Sequence, residues 1–87
     1  MRDGRATKML QIILFTKPGC HLCDAVEQTI RRVREDHPFE FTARNILDDP
    51  ADFEKYQHEI PVVLLDGIEI ARYRLSEDEL ISHLLKK

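Results

Sequence analysis

The hydrophobic period of this sequence changes at Cys20. Before it, "MLQIILF" (residues 9–15) is short, rich in isoleucine and leucine, and ends at the breaker "KPG", the pattern of a buried strand. After it, Leu22, Ala25, Val26, Thr29, Ile30 and Val33 recur at helical spacing on one face. Asp24, Glu27, Arg31, Arg34 and Glu35 fall on the other face, with Glu27 one turn before Arg31 as a favourable pair. The helix is expected to stop near Asp36-His37-Pro38, because the residue before a proline is pushed out of the α region. "FEFTAR" (39–44) then alternates, with Phe39, Phe41 and Ala43 on one side, as a second strand does. Strand, helix and strand in that order demand a parallel pair joined by a right-handed crossover, and this limits the fold more than any other feature.

The rest of the chain completes the pattern. "DDPADFEKYQ" reads as a short helix with Asp49 as N-cap and Pro50 at the first helical position. "PVVLL" (61–65) and "IEIAR" (68–72) flank Asp66-Gly67, the strongest short hairpin signal. "LSEDELISHLLKK" carries a capping box in which Ser76 caps, Glu79 reaches back and Leu75 staples onto Leu80. Leu80, Ile81, Leu84 and Leu85 form its buried stripe, and Lys86 and Lys87 meet the negative end of the helix dipole. The order is β-α-β-α-β-β-α, an α/β fold with a four-stranded mixed sheet flanked by helices. The 87 residues, 43 % apolar and 33 % charged, suffice for one small domain. That domain is expected over residues 9–87, with residues 1–8 as a flexible, solvated tail.

Charge and hydropathy exclude several functions. The formal net charge is −3 and the basic residues are interleaved with acids, so no nucleic-acid surface is expected. The apolar run at residues 12–15 is far short of the roughly 20 residues that a membrane span needs. The opening "MRDGRATKMLQ" has charges but no apolar core and no small-residue cleavage site, so no secretory signal is expected. A cytoplasmic location follows as the default. Structural disulfides are rare in that reducing compartment, which turns a close cysteine pair toward redox or metal chemistry.

Cys20 and Cys23 are the only cysteines in the chain. Cys20 follows a strand and a turn and opens the amphipathic helix. The first N–H groups of a helix have no partner within it, and the dipole is positive there. A thiolate at Cys20 is therefore stabilised, with a pKa expected below the free value of about 8.5. Lys17, and His21 when protonated, would act in the same direction. Cys23 lies one turn further in, close enough to close a disulfide with little backbone movement. Cys20 is then the exposed, activated thiol and Cys23 the shielded one, an inequality that suits thiol–disulfide exchange. Two other readings remain open on the residues alone. The cysteines can be small hydrophobes packing a helix start. They can also supply half of a tetrahedral metal site, or of an iron–sulfur cluster bridged across a dimer. His21, His37, His58 and His83 are not at finger-like spacing from one another, and no metal ligand is assigned.

At this point the residues match a family. "IILFTKPGC", the C-x-x-C at a helix start and the later "EIPVVLLDG" resemble the glutaredoxins and the wider thioredoxin fold, over roughly residues 9–86. The resemblance implies Cys20 as nucleophile, Cys23 as resolving thiol and Lys17 as the thiolate-stabilising lysine. It also implies that Ile60-Pro61 holds the proline that follows a cis bond in this fold and faces the active site. The Ile60 backbone would there meet an extended substrate as an added strand does. A trans proline opening an edge strand is the alternative that the residues alone allow. The sequence departs from the family at four places. His21-Leu22 stands between the cysteines where glutaredoxins commonly have Pro-Tyr. Ala71-Arg72 replaces their Gly-Gly pair, with Arg72 or Arg74 as a substitute partner for a glutathione carboxylate. The chain has no tryptophan before the first cysteine, and Leu14 holds the place of the buried thioredoxin aspartate.

These readings converge on a dithiol–disulfide oxidoreductase that reduces protein or glutathione mixed disulfides. It would work as a monomer, with no cofactor beyond its redox-active disulfide and glutathione as a possible co-substrate. A reductase or glutathione would be the electron donor. The alternatives are a metal or iron–sulfur carrier that uses the same thiols in a dimer, and a scaffold that binds a partner through the Pro61 face without turnover.

Overall fold

The computed structural model describes residues 9–86. The tail expected over residues 1–8 lies outside them, as does Lys87. The fold is built around β1 (Gln11–Thr16), whose alternating side chains are buried on both faces. It pairs in parallel with β2 (Glu40–Asn45) and antiparallel with β3 (Val62–Leu65), which pairs antiparallel with β4 (Ile68–Arg72). The sheet order is β2-β1-β3-β4. The parallel crossover runs through α1 (His21–Asp36), as the strand–helix–strand pattern demands.

Two apolar layers cover the sheet. On one face, Val26, Ile30 and Val33 of α1 and Leu80 of α3 (Glu77–Leu85) pack against Ile12, Leu14, Val63 and Leu65. On the other, Ile46 and Tyr56, from the segment that contains α2 (Pro50–Tyr56), pack against Phe15 and Val62. The rings of Phe15 and Tyr56 stack with centroids 4.3 Å apart. Adjacent residues of β1 thus serve opposite layers, which is the period-two logic of a central strand.

Local chemistry sets the element ends. Asp49 caps α2 through the Ala51 N–H, with Pro50 at the first helical position. The Asp66-Gly67 turn has φ of 50° and 86°, the left-handed pair of a tight hairpin. Asp66 also binds β1 twice, donating its N–H to the Gln11 carbonyl at 2.8 Å and accepting the Gln11 N–H at 2.9 Å. Ser76 and Glu79 form the expected capping box, and Leu75 and Leu80 are both buried beside it.

The structure differs from the sequence reading, or adds to it, at four places. Leu22, placed on the buried face of α1, is 51 % exposed, and Cys23 is buried instead. The helix begins at His21, so its inward face runs through Cys23, Val26, Ile30 and Val33, and Leu22 is turned about a quarter-circle away. Ala43 is exposed on edge strand β2, and Leu85 is exposed at the last turn of α3, beyond the reach of the sheet. A 3₁₀ turn over Ile46–Asp48, capped by the Asn45 side chain on the Leu47 N–H, was not expected. Among the described residues, no helix is long and apolar enough to cross a membrane.

The capping box sets two measurable outcomes. Ser76→Ala should lower the unfolding free energy by about 1 kcal/mol, read as a lower urea midpoint at unchanged slope. The Glu79 carboxyl is held below the ordinary glutamate range, chiefly by the Ser76 N–H and then by the Ser76 hydroxyl. Its stabilisation is therefore complete above that ordinary range and is lost as pH falls through the depressed value. Glu79→Gln should flatten this acid-side loss, and an unaltered pH profile would refute the assignment.

Candidate active site

Three chain segments meet at one end of the sheet. β1 ends at Thr16, and Lys17-Pro18-Gly19 turn the chain into α1. Gly19 has φ 80°, a conformation that favours glycine, and the Cys20 N–H closes the turn on the Lys17 carbonyl at 3.3 Å. The antiparallel register that sets Phe15 opposite Val62 brings Pro61 level with Thr16 at its next step. The register that sets Val62 opposite Arg72 brings Tyr73 level with Pro61, and the Tyr73 N–H donates to the Pro61 carbonyl at 2.7 Å. Pro61 is buried and the Ile60–Pro61 peptide bond is cis.

The two cysteines are unequal. Cys20 is the N-cap of α1, in extended conformation, one residue before the helix it was expected to open. Its Sγ accepts the Cys23 N–H at 3.1 Å, and its carbonyl accepts the Asp24 N–H at 3.1 Å. A sulfur there faces a backbone donor and the positive end of the helix dipole, both of which favour negative charge on it. Cys20 is half-buried, whereas Cys23 is fully buried. The pair is disulfide-bonded, with Cα atoms 5.2 Å apart, inside the usual range for a disulfide.

Lys17 stands three residues before Cys20 and His21 directly after it, and both are exposed. Ile60 is half-buried, and neither its N–H nor its carbonyl has a hydrogen-bond partner among the described residues. Arg72, weighed as a partner for a glutathione carboxylate, is already engaged. Its guanidinium grips Glu69 with bonds of 2.8 and 3.1 Å and lies 3.6 Å from Glu59. This grip holds the Glu69 carboxyl below its ordinary range. Leu14 is fully buried among apolar side chains, and no polar or charged side chain is buried among the described residues. Nor do those residues bring together three histidine, cysteine or acidic side chains that could hold a metal.

Residues 11–85 match the glutaredoxin-like domain (DUF836). The chain belongs to this glutaredoxin-like family. A glutaredoxin-like protein of Dictyostelium discoideum is 35% identical over 79 residues, covering 84% of this chain and 73% of the relative. A structural-genomics target protein from X. campestris superposes with a TM-score of 0.74 at 25% identity, covering 87% of this chain and 97% of that one. A Nitrosomonas europaea protein gives 0.75 at 21% identity, covering 95% and 98% of the two chains. Thioredoxin 1 of Thermosipho africanus gives 0.63 at 21% identity, covering 87% and 91%. The expected thioredoxin-like fold is therefore the observed one.

Sequence reasoning missed Tyr73. It has φ 72°, a true outlier for a bulky side chain. Its hydroxyl donates to the His58 carbonyl at 3.2 Å. The only hint in the sequence is the absence of the Gly-Gly pair, whose place falls at Ala71-Arg72. The left-handed position lies one residue later.

The unequal burial gives a direct test. In the reduced glutaredoxin-like domain, brief treatment with iodoacetamide should label Cys20 roughly tenfold or more faster than Cys23, mapped by peptide mass. Equal labelling of the two would contradict the assigned inequality.

Proposed function

We propose that this protein is a dithiol–disulfide oxidoreductase in which Cys20 attacks and Cys23 resolves. The observation that carries the reading is the placement of Cys20 Sγ as the cap of α1, on the Cys23 N–H, with Cys23 buried behind it. The reduced Cys20 thiolate attacks one sulfur of a substrate disulfide. The substrate S–S bond breaks, a mixed disulfide forms, and the departing sulfur takes up a proton. Cys23 then attacks Cys20 Sγ, and its proton goes to the second substrate sulfur as that leaves. The substrate has gained two electrons and two protons, and Cys20–Cys23 is the disulfide again. A dithiol reductase or two molecules of glutathione restore the thiols.

Lys17 and His21 are assigned to the charge around the Cys20 thiolate. Ile60 is assigned to substrate binding, since its unpartnered N–H and carbonyl suit an extended chain laid beside Pro61. The protein is proposed to act as a monomer on protein disulfides or glutathione mixed disulfides. A metal or iron–sulfur role would draw its remaining ligands from a second copy.

Cysteine variants test this reading. Cys20→Ser should abolish turnover of a model disulfide. Cys23→Ser should form a mixed disulfide with it that accumulates and is seen by intact mass. Full activity in Cys20→Ser would sink the proposal. Colour and stoichiometric iron in protein purified without oxygen would favour the carrier role.

A further inference from the structure

A cleft of about 260 Å³ lies between the first turns of α1, from Leu22 in the stretch between the two cysteines, and the segment after β4. Leu22, Ala25 and Thr29 line one side, and Tyr73 and Arg74 line the other. Three observations bear on what enters it. Its rim exposes two large apolar side chains, Leu22 at 51 % and Tyr73 at 44 %. Arg74 is exposed and forms no ion pair among the described residues, whereas neighbouring Arg72 is held by Glu69 and Glu59. Tyr73 is held in a left-handed conformation that bulky side chains disfavour. The Tyr73 bonds to the Pro61 and His58 carbonyls hold it there and tie the cleft wall to the Ile60–Pro61 segment.

We infer that the cleft between Leu22 and Tyr73–Arg74 selects an extended polypeptide substrate that carries an apolar side chain and an adjacent carboxylate near its disulfide. The apolar side chain lies between Leu22 and the Tyr73 ring, and the carboxylate meets Arg74. The volume is below the roughly 300–1,000 Å³ of a pocket for a whole drug-sized ligand, and suits one large side chain. Apolar walls with a single cation at the mouth complement this pair of groups and not a basic peptide. A tyrosine at the rim offers wide, rigid contact area at little conformational cost. The Tyr73 N–H bond to the Pro61 carbonyl links this wall to the segment that carries the unpartnered Ile60 backbone. This inference rests on the exchange reading for its substrate class, but binding can be measured without exchange.

The probes are short capped peptides in which serine stands for the substrate cysteine, flanked by Leu and Glu or by Leu and Lys. S-methylglutathione is the third probe. None of them can exchange disulfides, so the result is independent of the Cys20→Ser activity test. Amide NMR titration of the full chain should show shifts at Leu22, Ala25, Tyr73 and Arg74 with the Leu-Glu peptide. The Leu-Lys peptide should bind more weakly, and Arg74→Glu should reverse that preference. Tyr73→Gly adopts the same backbone without strain, and should weaken Leu-Glu binding roughly tenfold. Tyr73→Phe keeps the ring, should bind as the parent does, and controls for the lost His58 bond. Equal binding of the two peptides, shifts on another surface, or tighter binding of S-methylglutathione at these residues would each overturn the inference.

Discussion

One backbone amide serves two purposes at the start of α1. The Cys23 N–H, which the helix itself leaves without a partner, donates to Cys20 Sγ at 3.1 Å. It caps the helix and sets a donor against the sulfur that is proposed to react. The same bond fixes the order of the two thiols. With Cys20 as N-cap, Cys23 is the third helical residue and turns inward onto the sheet. One sulfur is left at the surface and the other is sealed beneath it. The inequality between the cysteines is thus a consequence of helix geometry.

That bond is placed by β1. The strand is buried on both faces and paired on both edges, so its end is a fixed point in the structure. Lys17-Pro18-Gly19 lead from it to the helix within three residues, with Gly19 taking the left-handed turn. The antiparallel β1–β3 and β3–β4 pairs then bring Pro61 and Tyr73 to the same end of the sheet. The cysteines, Pro61 and Tyr73 therefore sit at strand ends or at a helix end. Backbone groups are unpaired at such places and can be turned toward a ligand.

Legibility in the sequence follows the range of the forces. The hairpin at Asp66-Gly67, the caps at Asp49 and Ser76, and the helix stop before Pro38 depend on residues within four positions, and all were readable. The face of α1 was misread because the helical template accepts either Leu22 or Cys23, and only the cap position decides between them. The 3₁₀ turn after Asn45 carries no apolar period to announce it. Tyr73 was out of reach for a different reason. Nothing local favours φ 72° in a tyrosine, and its backbone is held by the Pro61 carbonyl, twelve residues earlier. The cysteine pair was legible as chemistry, whereas the cleft beside it is a product of tertiary contacts.

Leu14 narrows how such a site can work. The resemblance to thioredoxins set a buried aspartate at this place, where it would take the proton of the inner thiol. Here the position is apolar and fully buried, and no polar side chain is buried among the described residues. A charged base inside this small core would cost several kcal/mol in lost solvation without a partner. In the proposed exchange, the Cys23 proton therefore leaves with the substrate's own departing sulfur. That route makes resolution depend on how the substrate is held over Cys20. The residues proposed to hold it, on the Ile60 backbone and along the cleft, would then govern the second chemical step as well as the first encounter.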